Sequence, residues 1–343
     1  EAGVLAANAA AQLLGLRHNP AESVAATRDK VALRTVLAEA GVVQPRFAIA
    51  GRGDVAAAAG ELGFPVVIKP AHLSAGRGVI KASSGAEAAA AEEQVRRILL
   101  DDCGDDSADL LVEEYIAGPE LAIEGLLGPG GLDVLAVIDK PEPSLGPHFA
   151  ETFLTTPSRL PLAGQQAAIR LVRRACRALR LTTGPVHAEV RFAADGTPFL
   201  LELAARSIGG LCSRALTFGM LGESLEVLIL RAALGWDPAA AAPQRPAAGV
   251  LMLPIPSSGV FMGIEGADRA RRVPGVDDLE ITVSPGTTVQ ALPEGSRYLG
   301  FVFASAETAD TVEESLRMAA AELTVVIDGE AVDPLAGQPW ARG

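Results

Sequence analysis

The sequence predicts an α+β protein with more than one domain. The chain has 343 residues, and a chain of this length buries a substantial core and divides into two or three domains. Segments with the roughly 3.6-residue spacing of apolar side chains that is typical of helices alternate with short apolar runs. Several of these runs return across glycine turns, which is typical of antiparallel hairpins.

The elements follow from these patterns along the chain. Helices are predicted at residues 1–16, 23–41, 54–63, 84–100, 164–181, 222–234 and 308–323. Strands are predicted at residues 46–50, 65–70, 78–83, 110–116, 120–127, 133–140, 184–192 and 198–206. The stretch at 237–248 is rich in alanine and proline and predicts a linker, and the segment after it predicts a separate small α+β domain.

Composition and charge exclude several classes of function. The net charge of −13 argues against binding to nucleic acids and to anionic membrane surfaces. No apolar run approaches the roughly 18 residues that a membrane span needs, and the N-terminal stretch VLAANAAAQLLGL lacks the basic lead-in of a signal peptide. The three cysteines, Cys103, Cys176 and Cys212, are far apart. We therefore expect a cytoplasmic protein without a disulfide framework or a zinc site.

Four common catalytic or nucleotide-binding motifs are absent from the sequence. It contains no GxxxxGK[ST] phosphate loop and no GxGxxG dinucleotide fingerprint. It also contains no HExxH zinc motif and no GxSxG nucleophile motif. P-loop, Rossmann, zinc-protease and serine-hydrolase functions therefore have no support.

The most informative element is the hairpin GPVHAEVRFAADGTPFLLELAAR at residues 184–206. The pair Asp195-Gly196 favours a two-residue turn, and with that turn Glu189 lies directly opposite Glu202 on one face of the sheet. Two facing carboxylates repel each other unless a cation lies between them, and a hard cation such as Mg²⁺ resolves the conflict.

Other arrangements of this hairpin remain open. A solvated polar face, on which arginines balance the acids, needs no metal ion. A four-residue loop leaves the two carboxylates diagonal on the same face, whereas a one-residue slip puts them on opposite faces.

Acidic residues also occur within the segment LLVEEYIAGPELAIEG at residues 110–125. Glu113, Glu114, Glu120 and Glu124 lie around a strand and its exit. Their carboxylates can accept hydrogen bonds from ribose hydroxyls or from an amino group. An ordinary strand end with exposed acids is the alternative.

The segment VIKPAHLSAGRGV at residues 67–79 combines a lysine with a glycine-rich turn. Lys69 ends a buried strand, where an unpaired ammonium is costly, and a polyanion at the strand end would compensate it. The small residues of SAGRGV let backbone N–H groups approach an anion closely. The alternative is a hairpin turn with Lys69 reaching to solvent.

Four segments in this order resemble the ATP-grasp superfamily: RDKVALRTVLAEAGVVQPRF, PVVIKPAHLSAGRGV, LVEEYIAGPELAIEG and HAEVRFAADGTPFLLELAARSIGG. They are most similar to its carboxylate–amine ligase branch, which includes the L-amino acid (dipeptide) ligases. The tail that begins AGVLMLPIPSSGVFMGIEG is similar to the small C-terminal domain of those ligases. The resemblance implies an ATP-grasp fold, in which two α+β subdomains clamp ATP, followed by a small C-terminal α+β domain.

The resemblance also implies domain bounds. Residues 1–26 correspond to a remnant of the N-terminal pre-ATP-grasp domain, and residues 27–240 to the ATP-grasp domain, with its lid subdomain at about 47–116. Residues 245–343 correspond to the C-terminal ligase-type domain. The chain begins at Glu1 rather than at a methionine, which is typical of a processed or partial sequence.

Functional residues are implied by the same four segments. Lys30 and Lys69 match the lysines that hold the phosphates of ATP, and residues 74–79 match the glycine loop that closes over them. The implied nucleotide-binding set is Lys30, Lys69, Ser74, Gly76, Gly78, Val79, Glu113, Glu114, Tyr115, Ile116 and Glu120. Within it, residues 113–116 match the strand that brackets adenine, and Glu120 matches the acid that binds ribose. Glu189 and Glu202 match the metal carboxylates.

The implied reaction joins a carboxylate to an amine. ATP, clamped by Mg²⁺ or Mn²⁺, phosphorylates the carboxylate, and the amine then attacks the acyl phosphate to give an amide, ADP and phosphate. Arg206 matches the arginine that binds the acyl phosphate, and Glu151, near His148, matches an acid beside the amine substrate. The implied partners are amino-acid-like substrates, and a homodimer is compatible with the family. The alternatives are a carboxylase that forms carboxyphosphate and a non-catalytic ATP-binding module.

The sequence departs from the family pattern at three places. Ala204 replaces the asparagine of the usual Glu-x-Asn-x-Arg motif, which removes one ligand of the metal or phosphate. Leu154 stands where several ligases have a histidine, so the choice of substrate does not transfer. Most of the family's N-terminal domain has no counterpart in these residues.

Overall fold

Two short helices replace the single helix predicted at residues 23–41. The computed structural model describes residues 2–142, 146–219, 223–236, 246–336 and 338. Its first helices are α1 (Ala2–Leu13), α2 (Ala21–Ala26) and α3 (Lys30–Glu39). The break falls before Lys30 because the Asp29 carboxylate accepts hydrogen bonds from the N–H groups of Val31 and Ala32 and so caps α3.

The next elements occupy the stretch that is predicted as the lid subdomain, and the name lid is kept for this stretch. They are β1 (Phe47–Ala50), α4 (Val55–Leu62), β2 (Val66–Pro70), β3 (Ile80–Ala82), α5 (Gly85–Cys103) and β4 (Leu110–Glu114). The strands pair antiparallel in the order β1-β4-β2-β3. The predicted return across the glycine loop is confirmed, since Ile68 pairs with Ile80.

The middle of the chain supplies five more strands and three helices. They are β5 (Glu120–Gly128), β6 (Gly131–Lys140), β7 (Phe153–Thr156), α6 (Leu162–Ala178), β8 (Gly184–Phe192), β9 (Pro198–Ala204), α7 (Ser213–Gly219) and α8 (Leu225–Ala233). The strands predicted at 120–127, 133–140, 184–192 and 198–206 are all present, with ends that differ by no more than two residues.

The C-terminal segment also mixes strands and helices. Its elements are β10 (Ala247–Leu253), β11 (Gly259–Glu265), α9 (Ala267–Ala270), β12 (Val276–Ile281), β13 (Thr287–Val289), β14 (Gly300–Ala306), α10 (Ala309–Ala321), β15 (Thr324–Ile327) and β16 (Glu330–Val332). The predicted helix at 308–323 is α10.

One eight-stranded sheet joins the middle and C-terminal segments. Its order is β12-β14-β10-β7-β6-β5-β8-β9, and β10 pairs with β7 on one side and with β14 on the other. Strands β13, β11, β15 and β16 form a separate small sheet. The C-terminal segment therefore extends the central sheet and also forms a small sheet of its own. The predicted domain bounds stay predictions.

The predicted linker is too long at its C-terminal end. Residues 237–245 lie outside the described residues, but Ala247 and Ala248 are fully buried in β10. Small side chains suit this strand, because a Cβ on the neighbouring Gly249 would lie only 2.7 Å from the Leu154 carbonyl oxygen. Ala247 and Ala248 therefore belong to a buried strand and not to a linker.

The hairpin of β8 and β9 brings Glu189 opposite Glu202, as predicted, but by a different route. The turn is one residue longer than a two-residue Asp195-Gly196 turn, since Phe192 pairs with Pro198. A β-bulge farther along the ladder compensates, because Val190 pairs with Leu200 while Glu189 pairs with Glu202. The bulge restores the shared face that the longer turn alone would have lost.

The other face of this hairpin packs on the core. Leu203 and Ala188 are fully buried and lie in one cluster with Leu171 and Val172 of α6. Leu203 and Glu202 are successive residues of β9, so Leu203 points to the core and Glu202 to the opposite face. Among the described residues, no helix combines the length and the apolarity required to cross a bilayer.

We expect Leu203→Ala to destabilise the protein. The substitution leaves a cavity in the cluster under α6 and should lower the free energy of unfolding by about 2–5 kcal/mol. The control is Leu162→Ala, because Leu162 is 67% exposed, and this change should cost less than about 0.5 kcal/mol. Urea unfolding followed by circular dichroism measures both. Equal losses in the two variants would contradict the placement of Leu203.

Candidate active site

A cleft of about 1120 Å³ lies between the lid subdomain, the central sheet and the C-terminal segment. Of the residues predicted to bind ATP, metal or substrate, Gly78 alone is not part of its lining. The predicted residues in the lining are Lys30, Lys69, Ser74, Gly76, Val79, Glu113, Glu114, Tyr115, Ile116, Glu120, Glu151, Glu189, Glu202 and Arg206. The fold therefore brings together residues that are up to 176 positions apart in the sequence, from Lys30 to Arg206.

The two predicted phosphate lysines reach the cleft from different elements. Lys30 begins α3, and its Nζ donates a hydrogen bond to the carbonyl oxygen of Leu73 at 2.5 Å. Lys69 lies in β2, and its Nζ donates to Glu113 Oε2 at 2.6 Å. Lys69 does not simply extend to solvent, because its side chain is only 14% exposed. The Lys30 ammonium thus lies next to the start of the glycine loop, and the Lys69 ammonium lies beside Glu113.

The Glu113 carboxylate is buried between two cations. Lys69 bonds one of its oxygens and Arg34 Nε bonds the other. Burial raises the pKa of Glu113, but the charges and hydrogen bonds of Arg34 and Lys69 outweigh burial and lower the pKa to about 2. The neighbouring Glu114 accepts hydrogen bonds from Arg46 N at 2.8 Å and Nε at 2.7 Å. The side chains of Glu113 and Glu114 are therefore engaged within the protein.

The glycine loop at residues 74–79 rests on the C-terminal segment. The N–H of Gly78 donates to the Pro293 carbonyl oxygen at 3.0 Å, and Arg77 Nε donates to the Glu294 carbonyl oxygen at 2.8 Å. Gly78 has φ of +69°, and a Cβ there would lie 3.1 Å from the Pro70 ring. Gly78 thus contributes to the conformation of the loop but does not line the cleft.

The remaining residues predicted to bind the nucleotide are Tyr115, Ile116 and Glu120, which lie at the two ends of the connection between β4 and β5. Lys81 Nζ lies 4.2 Å above the Tyr115 ring, and Phe149 stacks on that ring at a centroid distance of 6.4 Å. The carbonyl oxygen of Ile116 accepts a hydrogen bond from Arg191 Nη1 at 3.2 Å. This part of the cleft combines aromatic surface with backbone polar groups, which suits a planar base.

Lys140 is a site residue that the sequence analysis missed. It ends β6 directly opposite Glu120, and its buried Nζ bonds Glu120 Oε1 at 2.6 Å, Glu189 Oε1 at 2.8 Å and also Glu151. The cross-strand pairing of Lys140 with Glu120 is the sequence signal that could have found it. Arg191 pairs with the second oxygen of Glu120.

The cluster around Lys140 shifts the pKa of each member. Burial lowers the pKa of Lys140, but the surrounding carboxylates raise it well above the usual value. Burial raises the pKa of Glu189, and the charge of Lys140 with the hydrogen bond of His187 more than reverses that effect. Glu151 keeps a raised pKa, because burial dominates and Glu189 lies nearby. Glu151 is thus the acid of this cluster that holds a proton most readily.

His187 lies on the same face of β8 as Glu189. Its Nδ1 contacts Glu124, and its Nε2 lies 3.5 Å from Glu189 Oε1. Burial lowers the pKa of His187, but the charge of Glu124 and the hydrogen bonds of both acids raise it to about 10. Glu124 Oε2 also accepts a hydrogen bond from the Ile208 N–H at 3.1 Å. His187 therefore adds positive charge behind Glu189.

The facing pair of Glu189 and Glu202 fits a divalent cation. Oε1 of Glu189 is shared by Lys140 and His187, whereas Glu202 has no ion-pair partner in the part of the chain that the structure describes. Glu202 lines the cleft opposite Glu189. Carboxylate oxygens are the ligands that Mg²⁺ and Mn²⁺ prefer, so an uncompensated carboxylate beside a second one suits such an ion.

A second group of acids lies beside this pair. Carboxylate oxygens of Glu120, Glu151 and Glu189 lie within 4.8 Å of one another. The Lys140 ammonium bonds all three, so this group already has a cation. The need for an added cation is therefore greater at Glu202 than at the Lys140 cluster.

Arg206 follows β9 and lines the same cleft. Its Nη1 donates to the Ser207 carbonyl oxygen at 2.9 Å. Ala204 ends β9 opposite His187 and is buried, so the structure places no polar side chain at the position of the missing asparagine. The residues 207–212 after Arg206 continue along the cleft wall.

Comparison with known proteins agrees with this architecture. Residues 62–215 match the ATP-grasp domain, and residues 251–328 match L-amino acid ligase C-terminal domain 2. The chain contains an ATP-grasp domain followed by an L-amino acid ligase C-terminal domain. The resemblance found in the sequence and the predicted fold class are thereby confirmed.

Three similar proteins illustrate the relationship. An uncharacterized protein, y4rH, from Sinorhizobium fredii is 30% identical over 85% of this chain, and D-alanine–D-alanine ligase from Ectopseudomonas mendocina is 31% identical over 58%. The chain spans 60% of the first protein and 66% of the second. The crystal structure of L-amino acid ligase from Bacillus licheniformis superposes with a TM-score of 0.76 and 26% identity, covering 94% of this ATP-grasp chain and 77% of that one.

The buried Glu113 of this ATP-grasp protein should make stability depend on pH in the acid range. Its pKa is about 2 in the folded protein against an ordinary 4.5, so its stabilising effect is complete above pH 4.5 and is lost as the pH falls towards 2. We expect the stability difference between the unmodified chain and Glu113→Gln to shrink by on the order of 3 kcal/mol across this window.

Urea unfolding of both chains at a series of pH values from about 5 to about 3 measures the start of this loss. Glu330→Gln is the control, because Glu330 is exposed on β16, and its effect should stay below about 0.5 kcal/mol. A stability difference for Glu113→Gln that does not change below pH 4.5 would contradict the pKa of Glu113.

Proposed function

We propose that this protein is an ATP-dependent carboxylate–amine ligase. ATP phosphorylates a substrate carboxylate, an amine attacks the resulting acyl phosphate, and the products are an amide, ADP and phosphate. The observation that carries the proposal is the facing pair of Glu189 and Glu202 in the same cleft as Lys30 and Lys69. The L-amino acid ligase C-terminal domain supports an amine as the acceptor.

The nucleotide would lie between the lid subdomain and the central sheet. Lys30 and Lys69 would neutralise its phosphates, and the loop at residues 74–79 would cover them with backbone N–H groups. The backbone of residues 113–116 and the Tyr115 ring would hold adenine. Glu120, held in place by Lys140 and Arg191, would accept hydrogen bonds from ribose.

Glu189 and Glu202 would hold Mg²⁺ or Mn²⁺. When bound, the ion supplies positive charge to the phosphoryl oxygens during transfer. Lys140 and His187 both contact Oε1 of Glu189, so this carboxylate is already oriented before an ion binds. The lysines and the two carboxylates thus hold one triphosphate from opposite sides of the cleft.

Arg206 and Glu151 would act on the substrates. Arg206 lines the cleft four residues after Glu202 and would stabilise the negative charge that develops on the acyl oxygens. The attacking amine must lose a proton, and Glu151 can hold it, because burial raises the pKa of this carboxyl within the Lys140 cluster.

The proposed substrates are small and amino-acid-like. Support comes from the names of the relatives, which are ligases of L-amino acids and of D-alanine. The net charge of −13 disfavours nucleic acids and anionic membranes as partners. A cytoplasmic protein that forms a homodimer is compatible with these features.

The reaction is tested by mixing the protein with Mg-ATP and pairs of L-amino acids. We expect ADP release that depends on both amino acids, with an equal amount of dipeptide detected by mass spectrometry. ADP release that requires bicarbonate instead would identify a carboxylase. Tight Mg-ATP binding with no ADP from any pair would identify a non-catalytic ATP-binding module.

We expect Glu202→Ala to remove metal-dependent turnover. A metal ion is worth several kcal/mol of transition-state stabilisation, so ADP formation should fall by roughly a hundredfold or more. The fold should survive, since Glu202 has no partner among the described residues. Glu330→Ala is the control and should retain full turnover. Unchanged metal-dependent turnover in Glu202→Ala would remove Glu202 from the metal site.

Arg206→Ala should slow the chemical step rather than weaken ATP binding. Loss of one group that stabilises an oxyanion lowers kcat by about 10²–10³, and the Kd for Mg-ADP measured by calorimetry should stay the same. Arg272→Ala, at an exposed arginine, is the control. A variant in which the Kd rises and kcat is unchanged would place Arg206 at the nucleotide instead.

A further inference from the structure

Arg34 is an almost completely buried cation with several partners outside its own helix. It is 1% exposed, and its Nε bonds the Glu113 carboxylate. Its Nη1 donates to the carbonyl oxygen of Leu200 at 3.2 Å, and its Nη2 donates to the carbonyl oxygen of Leu201 at 2.6 Å. The guanidinium thus joins the lid strand β4 to the edge strand β9.

The two carbonyl groups belong to the β-bulge of the hairpin. Leu201 is the extra residue, because Leu200 pairs with Val190 while Glu202 pairs with Glu189. A bulge removes regular cross-strand partners from the backbone, and β9 is the last strand of the sheet, so no further strand can supply them. A planar guanidinium with divergent N–H groups matches two successive carbonyl oxygens.

The segment that follows α3 also contacts the edge strand β9. The N–H of Leu200 donates to the Val43 carbonyl oxygen at 3.1 Å. Gln44 donates from Nε2 to the Arg34 carbonyl oxygen at 2.8 Å, so residues 34–44 are themselves tied together. The bulge is therefore held from outside the sheet, chiefly by Arg34.

The bulge decides on which face Glu202 lies. Near the turn, Phe192 pairs with Pro198 and Val190 with Leu200. If this register continued, Glu189 would pair with Leu201, and Glu202 would point to the opposite face. The extra residue at the bulge is thus what brings the second carboxylate to the first.

We propose that Arg34 is a positioning residue for the Glu189–Glu202 cation site. Its guanidinium holds the bulge at Leu201 in the register that puts Glu202 opposite Glu189. This inference rests on the proposed function of that pair as metal ligands. Through Glu113, the same guanidinium also links the bulge to Lys69, the lysine on the phosphate side of the cleft.

Lysine cannot replace Arg34 in this role. A lysine ammonium is a single point charge, so it can pair with Glu113 but cannot reach both carbonyl oxygens with fixed geometry. Arg34→Lys therefore separates two roles. If Arg34 only neutralised Glu113, lysine would rescue the function, whereas a role at the bulge is lost with lysine.

The chain offers a matched control in Arg96 of the lid. Arg96 is 5% exposed, pairs with Glu92 through Nε at 2.7 Å, and donates from Nη1 to the carbonyl oxygens of Asp106 and Ala108 at 2.6 and 3.2 Å. It thus has one acid and two carbonyl partners, as Arg34 does apart from a long hydrogen bond to Gln44 Oε1 at 3.4 Å. No contact of Arg96 with β8 or β9 is present among the described residues. Arg96→Lys disturbs a comparable network away from the cation site.

The test is the Kd for Mn²⁺ in the presence of ADP, measured by isothermal titration calorimetry on the full chain. Residues that orient metal ligands typically change metal affinity by about 10–100-fold, and we expect a loss in this range for Arg34→Lys. The Kd for ADP without metal should change by less than about threefold, and Arg96→Lys should bind Mn²⁺ like the unmodified chain. The Mg²⁺ concentration for half-maximal ADP formation should rise in parallel in Arg34→Lys.

Either of two results would overturn the inference. Arg34→Lys that is folded by circular dichroism and binds Mn²⁺ like the unmodified chain removes the positioning role. An equal loss in Arg96→Lys shows a general effect of disturbing a buried arginine. If Glu202→Ala itself leaves Mn²⁺ binding unchanged, the proposed metal site fails, and this outcome is distinct from the other two.

A deletion tests the same point from the side of the bulge. Removing Leu201 removes the bulge but keeps the two acids opposite each other, because the register near the turn then continues through them. We expect the deletion to retain Mn²⁺ binding within about tenfold and to make it insensitive to Arg34→Lys. Loss of Mn²⁺ binding on deletion, or a further loss on adding Arg34→Lys, would contradict the role of the bulge.

Discussion

The buried carboxylate of Glu113 is the interaction on which the cleft depends. It binds Lys69 of the lid with one oxygen and Arg34 of α3 with the other, and Arg34 continues to the edge of the central sheet. Removing this carboxylate would leave two buried or half-buried cations without a partner, which costs more than the pairing itself contributes. The lid, the helix that begins with Lys30 and the acid hairpin are thereby held around one space.

Charge in the cleft is arranged so that most groups are compensated and a few are left for ligands. Lys140 compensates Glu120, Glu151 and Glu189 together, and Arg191 adds a second cation at Glu120. Glu202 remains without such a partner among the described residues. In the proposed ligase, ATP and its metal ion enter the cleft as one complex. The ion would then compensate the charge of Glu202, while Lys30 and Lys69 would compensate the charge of the phosphates.

The sequence could predict the strands before residue 207 other than β7, together with the family, because these depend on local periodicity and on motifs with fixed spacing. It could also predict that Glu189 faces Glu202, but from a two-residue turn that the structure does not have. It could not predict the three-residue turn and the compensating bulge, and the partner of the bulge, Arg34, is far away in the sequence. Lys140 was missed because its role depends on three strands and a loop that meet only in the fold. The sharing of strands between the middle and C-terminal segments likewise follows from packing that no single segment encodes.

A crystal structure with Mn²⁺ and a non-hydrolysable ATP analogue tests the central claim most directly, because the anomalous signal of manganese locates the ion. The account predicts an ion bound by carboxylate oxygens of both Glu189 and Glu202 at roughly 2.0–2.3 Å, with the phosphates reaching Lys30 and Lys69. An ion among Glu120, Glu151 and Glu189 with Lys140 displaced, and with Glu202 pointing away from it, would contradict the account.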